Sequence, residues 1–263
     1  LHSPHVARVK ALIGSRGVKE RREAGLFIAE GLQSAREALT SHGAPFIKSL
    51  YVTSAGLLKL ADFDLNVVDV VEVTDAVMSE MTSTVSPQGI LALCVVPRRE
   101  LSELSALASK PAARLVYLHE IQDPGNAGTI LRSADAMGVD AVITSPGSVD
   151  MYSPKVVRAT AGSLWHLPLY ESHSFSELAQ LLPDAKPILL SSHATTSITE
   201  LQRSDSNISV FGNEARGVDA QSLGVPASAI TSVTIPMAGR AESLNLSAAA
   251  SIAIFTLSQP LAG

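Results

Sequence analysis

Ser232–Leu257 reads SVTIPMAGRAESLNLSAAASIAIFTL, and three local signals follow one another along it. Val233-Thr234-Ile235 is a β-branched run of the kind that forms a strand. Pro236 and Gly239 end it and turn the chain where a ligand can approach bare backbone. Glu242-Ser243-Leu244-Asn245-Leu246-Ser247 then places polar side chains at a helix start, with Asn245 or Ser247 able to cap it. The small residues from Ala248 to Phe255 continue as a closely packing helix. Strand, polar loop and helix in this order are how open α/β sheets build ligand sites. Ser and Asn before an alanine-rich helix also serve as plain caps, but Glu242, Ser243 and Asn245 crowd into four positions beside a Gly/Pro turn.

Two upstream stretches repeat the theme. His119–Arg132, HEIQDPGNAGTILR, lies between a strand at Leu115–Leu118 and a helix expected over Ala127–Met137. Gly125 and Gly128 let backbone amides near a ligand there, and the planar fork of Arg132 suits anionic oxygens. In Val210–Val218, VFGNEARGV, an apolar strand again runs into glycine and a carboxylate. Neither is a dinucleotide fingerprint G-x-G-x-x-G, and no phosphate loop G-x-x-x-x-G-K-[ST] occurs.

Around these stretches the chain alternates strands and helices. Strands are expected at 26–29, 47–53, 66–73 and 90–96, with helices at 33–39, 54–60 and 75–81. A Ser/Ala/Leu-rich helical linker over 97–111 then separates two α/β domains, 1–106 and 107–263. The second alternation, with strands at 115–118, 141–144, 167–170, 188–190 and 208–211 and helices at 153–163 and 174–182, is expected to give a mostly parallel sheet covered on both faces.

Composition narrows the classes further. Of 263 residues 46% are hydrophobic and 17% charged, which describes a soluble globular protein. The final helix is shorter than the ~20 apolar residues a bilayer requires. Cys94 is the sole cysteine, so no intrachain disulfide forms, and its apolar run makes it a buried strand residue. No secretory signal is visible, the cytoplasm is the expected compartment, and the start at Leu1 leaves room for a trimmed beginning. Seven histidines show no metal-ligand spacing, so no metal is expected. The net charge of −5 is uneven: residues 1–25 hold six basic side chains (Arg8, Lys10, Arg16, Lys19, Arg21, Arg22) against Glu20 and Glu23, a local +4. Such a segment suits RNA phosphates, and its plain alternative is a solvated helix face.

Taken together, the three stretches resemble the SpoU (TrmH) group of the SPOUT methyltransferases, which move a methyl group from S-adenosylmethionine to a ribose 2′-oxygen of RNA. The N-x-G-x-x-x-R motif of the group is matched by Asn126, Gly128 and Arg132. Its G-N-E-x-x-G motif is matched by Gly212, Asn213, Glu214 and Gly217. Its I-P-M-x-G-x-x-E-S-L-N-x-S motif is matched by Ile235, Pro236, Met237, Gly239, Glu242, Ser243, Leu244, Asn245 and Ser247.

The resemblance implies a fold, a cofactor and partners. The fold is a C-terminal parallel-sheet domain carrying a deep trefoil knot, preceded by a small domain similar to ribosomal protein L30. The second and third motifs would hold S-adenosylmethionine, with Gly212, Ile235 and Leu244 along the adenosine and Glu214, Ser243 and Asn245 nearby. Asn126, Arg132, Glu214, Ser243 and Asn245 become the catalytic candidates. A homodimer is implied, its substrate site drawing on both chains. Family accounts give Arg132 the role of base, but free arginine hardly deprotonates, so orienting the RNA and stabilising the oxyanion suit it better, with Asn126 positioning the hydroxyl. The separate N-terminal domain favours ribosomal RNA over transfer RNA. The competing readings are a non-catalytic RNA-binding protein on this scaffold, which has no need of the donor, and a nucleotide-dependent oxidoreductase, which lacks its fingerprint.

Overall fold

The computed structural model describes residues 3–40, 43–201, 206–241 and 243–259. Among these the elements run, in chain order, α1 (Pro4–Ile13), α2 (Gly17–Ala24), β1 (Leu26–Glu30), α3 (Leu32–Thr40), β2 (Ile47–Val52), α4 (Ser54–Leu58), β3 (Val70–Glu72), α5 (Asp75–Met81) and β4 (Ile90–Val95). They continue with β5 (Arg114–Leu118), α6 (Pro124–Ala136), β6 (Ala141–Thr144), α7 (Pro154–Ala159), β7 (Leu169–Tyr170), α8 (Phe175–Leu181), β8 (Lys186–Leu190), β9 (Asn207–Phe211), β10 (Thr231–Val233) and α9 (Leu246–Ser258). By packing the chain divides into two compact units, Leu1–Arg98 with Asp150–His166, and Arg99–Val149 with Leu167–Gly263.

The first unit is a four-stranded sheet in the order β1-β4-β2-β3, antiparallel except for the β2–β3 pair. Val6, Val9 and Leu12 recur along one face of α1 and meet Ile28, Tyr51, Met78, Leu91 and Leu93 in its core. Every residue of β1 is buried. Alternation sends Phe27 to the other face, where it meets Tyr152 at 4.9 Å and Trp165 at 5.8 Å between ring centroids. Residues 150–166, expected within the second domain, therefore complete the first unit. The strand expected over 66–73 is confined to Val70–Glu72, because Asp64 caps a 3-10 turn at Leu65–Val67 instead.

Arg21, one of the six basic side chains expected to suit RNA phosphates, is only 5% exposed. Its Nε and Nη2 each lie 2.7 Å from Asp150 Oδ2, and Nη1 donates to the Leu12 carbonyl. A guanidinium with those partners is structural. Arg8, Lys10, Arg16, Lys19 and Arg22 are exposed on α1, α2 and the turn between them.

The second unit is a six-stranded sheet, β10-β8-β9-β5-β6-β7, parallel at every pairing. Leu115, Tyr117, Ile143, Ile208 and Val210 pack on one face against Phe175, Leu178 and Leu223, as expected of strands covered on both sides. From β5 the chain steps outward to β6 and β7, then returns to β8 and β9 on the other side of β5. The direction of winding thus reverses between β5 and β9, the crevice where such sheets bind ligands. The parallel α/β sheet is the architecture expected from sequence. Its last strand is Thr231–Val233 rather than 233–235, because Thr234 leaves the ladder to exchange backbone hydrogen bonds with Thr196 and Ile198.

Candidate functional site

The loops leaving β8, β9 and β10 and the start of α9 surround one cavity of about 490 Å³ in the second unit. Their convergence follows from the parallel sheet, since all these strands deliver their C-terminal ends to one edge.

The β9 loop is shaped by its glycines. A Cβ at Gly212 would sit 2.6 Å from the Gly217 carbonyl carbon, so nothing larger fits. Gly217 adopts φ +64°, a left-handed conformation natural to glycine. Asn213 and Gly217 exchange backbone hydrogen bonds of 3.2 and 2.8 Å, while Asn213 Oδ1 accepts from the amides of Ala215 and Arg216. Glu214 is thereby held at the turn's outer end. Its carboxylate accepts from the amides of Gln122 (3.1 Å) and Asp123 (3.0 Å) and from Asn126 Nδ2 (3.4 Å).

The helix α6 begins at Pro124, three residues before its expected start. Asp123 caps it by accepting from the Asn126 amide at 2.7 Å, and proline at the first position is pre-set for a helix. This places Asn126 in the first turn, 8% exposed. Its Oδ1 accepts from Asn245 Nδ2 at 3.0 Å, and Asn245 Oδ1 in turn accepts the Ser247 and Ala248 amides that open α9. Of the two cap candidates it is Asn245 that serves. The motifs of all three stretches are thus joined by side-chain hydrogen bonds in the order Glu214, Asn126, Asn245.

The expected site residues fall into two sets. Asn126, Gly212, Asn213, Glu214, Gly217, Ile235, Met237, Ser243, Leu244 and Asn245 line the cavity. Pro236, Gly239 and Arg132 are exposed and lie outside its described lining, and Glu242 lies outside the described residues. Arg132 is six residues along α6 from Asn126, about 9 Å of rise and ~240° of rotation, so the two face different directions. The sequence reading also missed lining residues: Ser191, Ser192 and His193 after β8, and Arg216 inside the second motif. A strand end followed by Ser-Ser-His was the available signal for the first three.

His119 follows β5, its amide donating to the Phe211 carbonyl at the end of β9. Burial pushes its imidazole pKa below the ordinary value, the Arg216 charge adds to the shift, and Glu120 opposes it. Among the described residues no group of three His, Cys, Asp or Glu stands where it could hold a metal ion, and no helix is long and apolar enough to cross a membrane.

Comparison with known proteins bears on the same residues. The description SpoU rRNA Methylase family matches residues 113–255, and an MRM3-like substrate binding domain matches residues 4–92. The chain is 31% identical over 240 residues to the 23S rRNA (guanosine(2553)-2′-O)-methyltransferase RlmP of Bacillus subtilis, covering 91% of each chain. It is 28% identical over 263 residues to a 23S rRNA (uridine(2479)-2′-O)-methyltransferase of Streptomyces viridochromogenes, covering 94% of this chain and 86% of that one. The crystal structure of an AdoMet-bound rRNA methyltransferase from Sinorhizobium meliloti superposes with a TM-score of 0.82 at 27% identity, covering 98% of this chain and 95% of that one. With one match across more than half its length and a relative this similar over nearly all of it, the chain belongs to the SpoU rRNA Methylase family.

Proposed function

We propose that this protein is an S-adenosylmethionine-dependent RNA 2′-O-ribose methyltransferase acting on ribosomal RNA of the 23S type. The observation that carries the reading is the cavity where the three motifs meet, tied by Glu214, Asn126 and Asn245. Its volume falls within the ~300–1,000 Å³ of small-molecule sites. Leu190, Ile235, Met237 and Leu244 offer apolar sides to a purine, while the turn from Gly212 to Gly217 offers backbone groups to its edges and to a ribose. The residues present therefore fit the donor. The chemistry supplied when S-adenosylmethionine is bound is a methyl group already activated on a positively charged sulfur.

The chain's own work is alignment. Asn126 and Asn245 fix the starts of α6 and α9 against each other, and Ser243 and Leu244 are carried on the segment that leads from β10 into α9. A ribose hydroxyl is a weak nucleophile, so the barrier falls through in-line placement and stabilisation of the developing oxyanion. Arg132 is assigned both tasks, holding an RNA phosphate and facing the 2′-oxygen as a permanent cation.

Because Arg132 faces away from Asn126 on its own helix, we assign it to the cavity of a second copy. Ala248, Ile252 and Phe255 recur along the exposed face of α9, with Phe255 55% exposed, and Met237 and Leu244 are exposed nearby in the chain. A homodimer that covers this face brings Arg132 of one protomer toward the donor of its partner. The knotted chain path that the family resemblance implies is part of the same reading, supported by the loops after β8, β9 and β10 sharing one cavity.

The two domains take different roles, RNA binding for 1–106, with residues 150–166 packed into the same unit, and catalysis for the rest of 107–263, in the cytoplasm where ribosomes are built. Arg16, Lys19 and Arg22 line a groove of about 470 Å³ on the first unit, and with Arg8 and Lys10 they form the phosphate-binding surface. Lys10 meets Glu80 and Lys19 meets Glu23, but exposed pairs are worth only ~0–1 kcal/mol and yield to RNA.

The test is transfer of labelled methyl groups from S-adenosylmethionine to ribosomal and transfer RNA, with mapping of the 2′-O-methylated nucleotide. Arg132→Ala should lower transfer to ribosomal RNA by orders of magnitude and leave donor binding unchanged. Near-parental turnover in that variant, or methylation of transfer RNA alone, sinks the assignment.

A further inference from the structure

The cavity has one charged feature that the three motifs do not explain. Among its described lining residues Arg216 is the only side chain with a permanent positive charge. The other charge within the lining motif, Glu214, is taken up by two backbone amides and Asn126.

Arg216 is held in place by an unusual neighbour. Its Nη2 lies 2.6 Å from Glu120 Oε2. Glu120 has φ +49°, a left-handed conformation that costs a non-glycine residue about 1 kcal/mol or more. That conformation is fixed from three sides. The Glu120 amide donates to Ser145 Oγ at 2.7 Å, and its carbonyl accepts from Gln122 Nε2 at 3.0 Å and Asn213 Nδ2 at 2.9 Å. The ion pair itself is exposed, 73% on the arginine side and 39% on the glutamate side. Exposed pairs contribute too little to offset the strain. What the arrangement gains is a guanidinium stationed at the cavity rim, with donors left over once Glu120 has taken one.

We propose that Arg216 binds the carboxylate of the methyl donor and that Glu120 is the residue that positions it. The inference rests on the reading of this cavity as the S-adenosylmethionine site. S-adenosylmethionine has one anionic group, the carboxylate of its amino-acid end, and a planar guanidinium is the side chain best matched to that group. Glu120, already paired with Arg216, keeps the guanidinium from folding away into solvent when the cavity is empty.

Calorimetric titration of the full chain with S-adenosylmethionine and with decarboxylated S-adenosylmethionine tests this without any methyl transfer. Arg216→Gln should weaken S-adenosylmethionine binding about tenfold, the scale of one charge-assisted hydrogen bond, and leave the decarboxylated donor unaffected. Glu120→Gln should produce a smaller loss with the same ligand selectivity, which a general loosening of the loop would not give. Equal losses for both donors, or no loss for either, overturn the clamp while leaving the donor site standing. If Arg216→Gln leaves both titrations unchanged but lowers affinity for a ribosomal RNA fragment, Arg216 serves a phosphate and the proposal is wrong. A parent chain that binds neither donor removes the reading of the cavity and the clamp with it.

Discussion

Asn245 Nδ2 donates to Asn126 Oδ1 across 3.0 Å, joining the start of α9 to the start of α6 over 119 positions of sequence. The same Asn245 side chain caps α9 through its oxygen, so one residue performs two separable jobs. Asn245→Asp separates them. The aspartate keeps an oxygen toward the Ser247 and Ala248 amides and adds negative charge at a helix N-terminus, worth about 0.3–1 kcal/mol. Its other oxygen then opposes Asn126 Oδ1. The expected result is a melting temperature near the parent's with methyl transfer at least about tenfold lower. Asn245→Ala loses the cap as well, ~1 kcal/mol, and should melt lower. Equal melting losses in the two variants would show that the bridge to Asn126 carries stability rather than alignment.

Glu214 is the acceptor for two amides of the β5–α6 connection and for the Asn126 side chain in the first turn of α6. Glu214→Gln keeps the shape but turns an NH₂ toward a backbone amide, leaving donor against donor. A loss of about 1–3 kcal/mol in urea denaturation is expected, together with weaker S-adenosylmethionine binding. Parental stability in this variant would mean that the loops hold one another without it.

The sequence was informative where local chemistry decides structure. The α5 helix coincides with its expected bounds because Thr74 caps it, and the second motif lies at a strand end because β9 runs straight into Gly212. It was silent where distant packing decides. The burial of Arg21 depends on Asp150, 129 positions away, and nothing in a run of basic residues marks which one faces inward. The same holds for residues 150–166, whose place beside Phe27 follows from aromatic contacts rather than from any local signal. Arg216 sat unremarked inside a motif because the significance of a cation there appears only with the cavity around it.

Arg21 and Asp150 form an ion pair with side chains 6% and 10% exposed. Arg21→Met leaves the Asp150 charge buried without its partner and should destabilise the first unit by about 3–5 kcal/mol. Combining it with Asp150→Leu should recover most of that loss, since two apolar groups restore a matched interior. Trp165, the sole tryptophan, belongs to this unit, so its fluorescence during urea denaturation reads the effect directly. If Arg21→Met instead left the urea midpoint in place and reduced RNA affinity as much as Arg22→Ala does, Arg21 would belong with the phosphate-binding residues after all.

His119 gives the second unit a pH dependence of definite sign. Burial at the end of β5 lowers its folded pKa, with the Arg216 charge in the same direction and Glu120 and Asp219 opposing. The unfolded chain protonates this imidazole near ~6.5. Between the lowered folded value and about 6.5 the unfolded state binds more protons, so stability rises with pH across that window. The contribution is fully present above about 6.5 and is lost as pH falls through the folded pKa. His119→Gln removes the titration while retaining a polar group. The urea midpoint of the parent should therefore drop more steeply between pH 7 and pH 5 than that of His119→Gln. Parallel midpoints across the range would mean that the imidazole meets the same environment folded and unfolded, and that its burial beside the end of β9 has no energetic consequence.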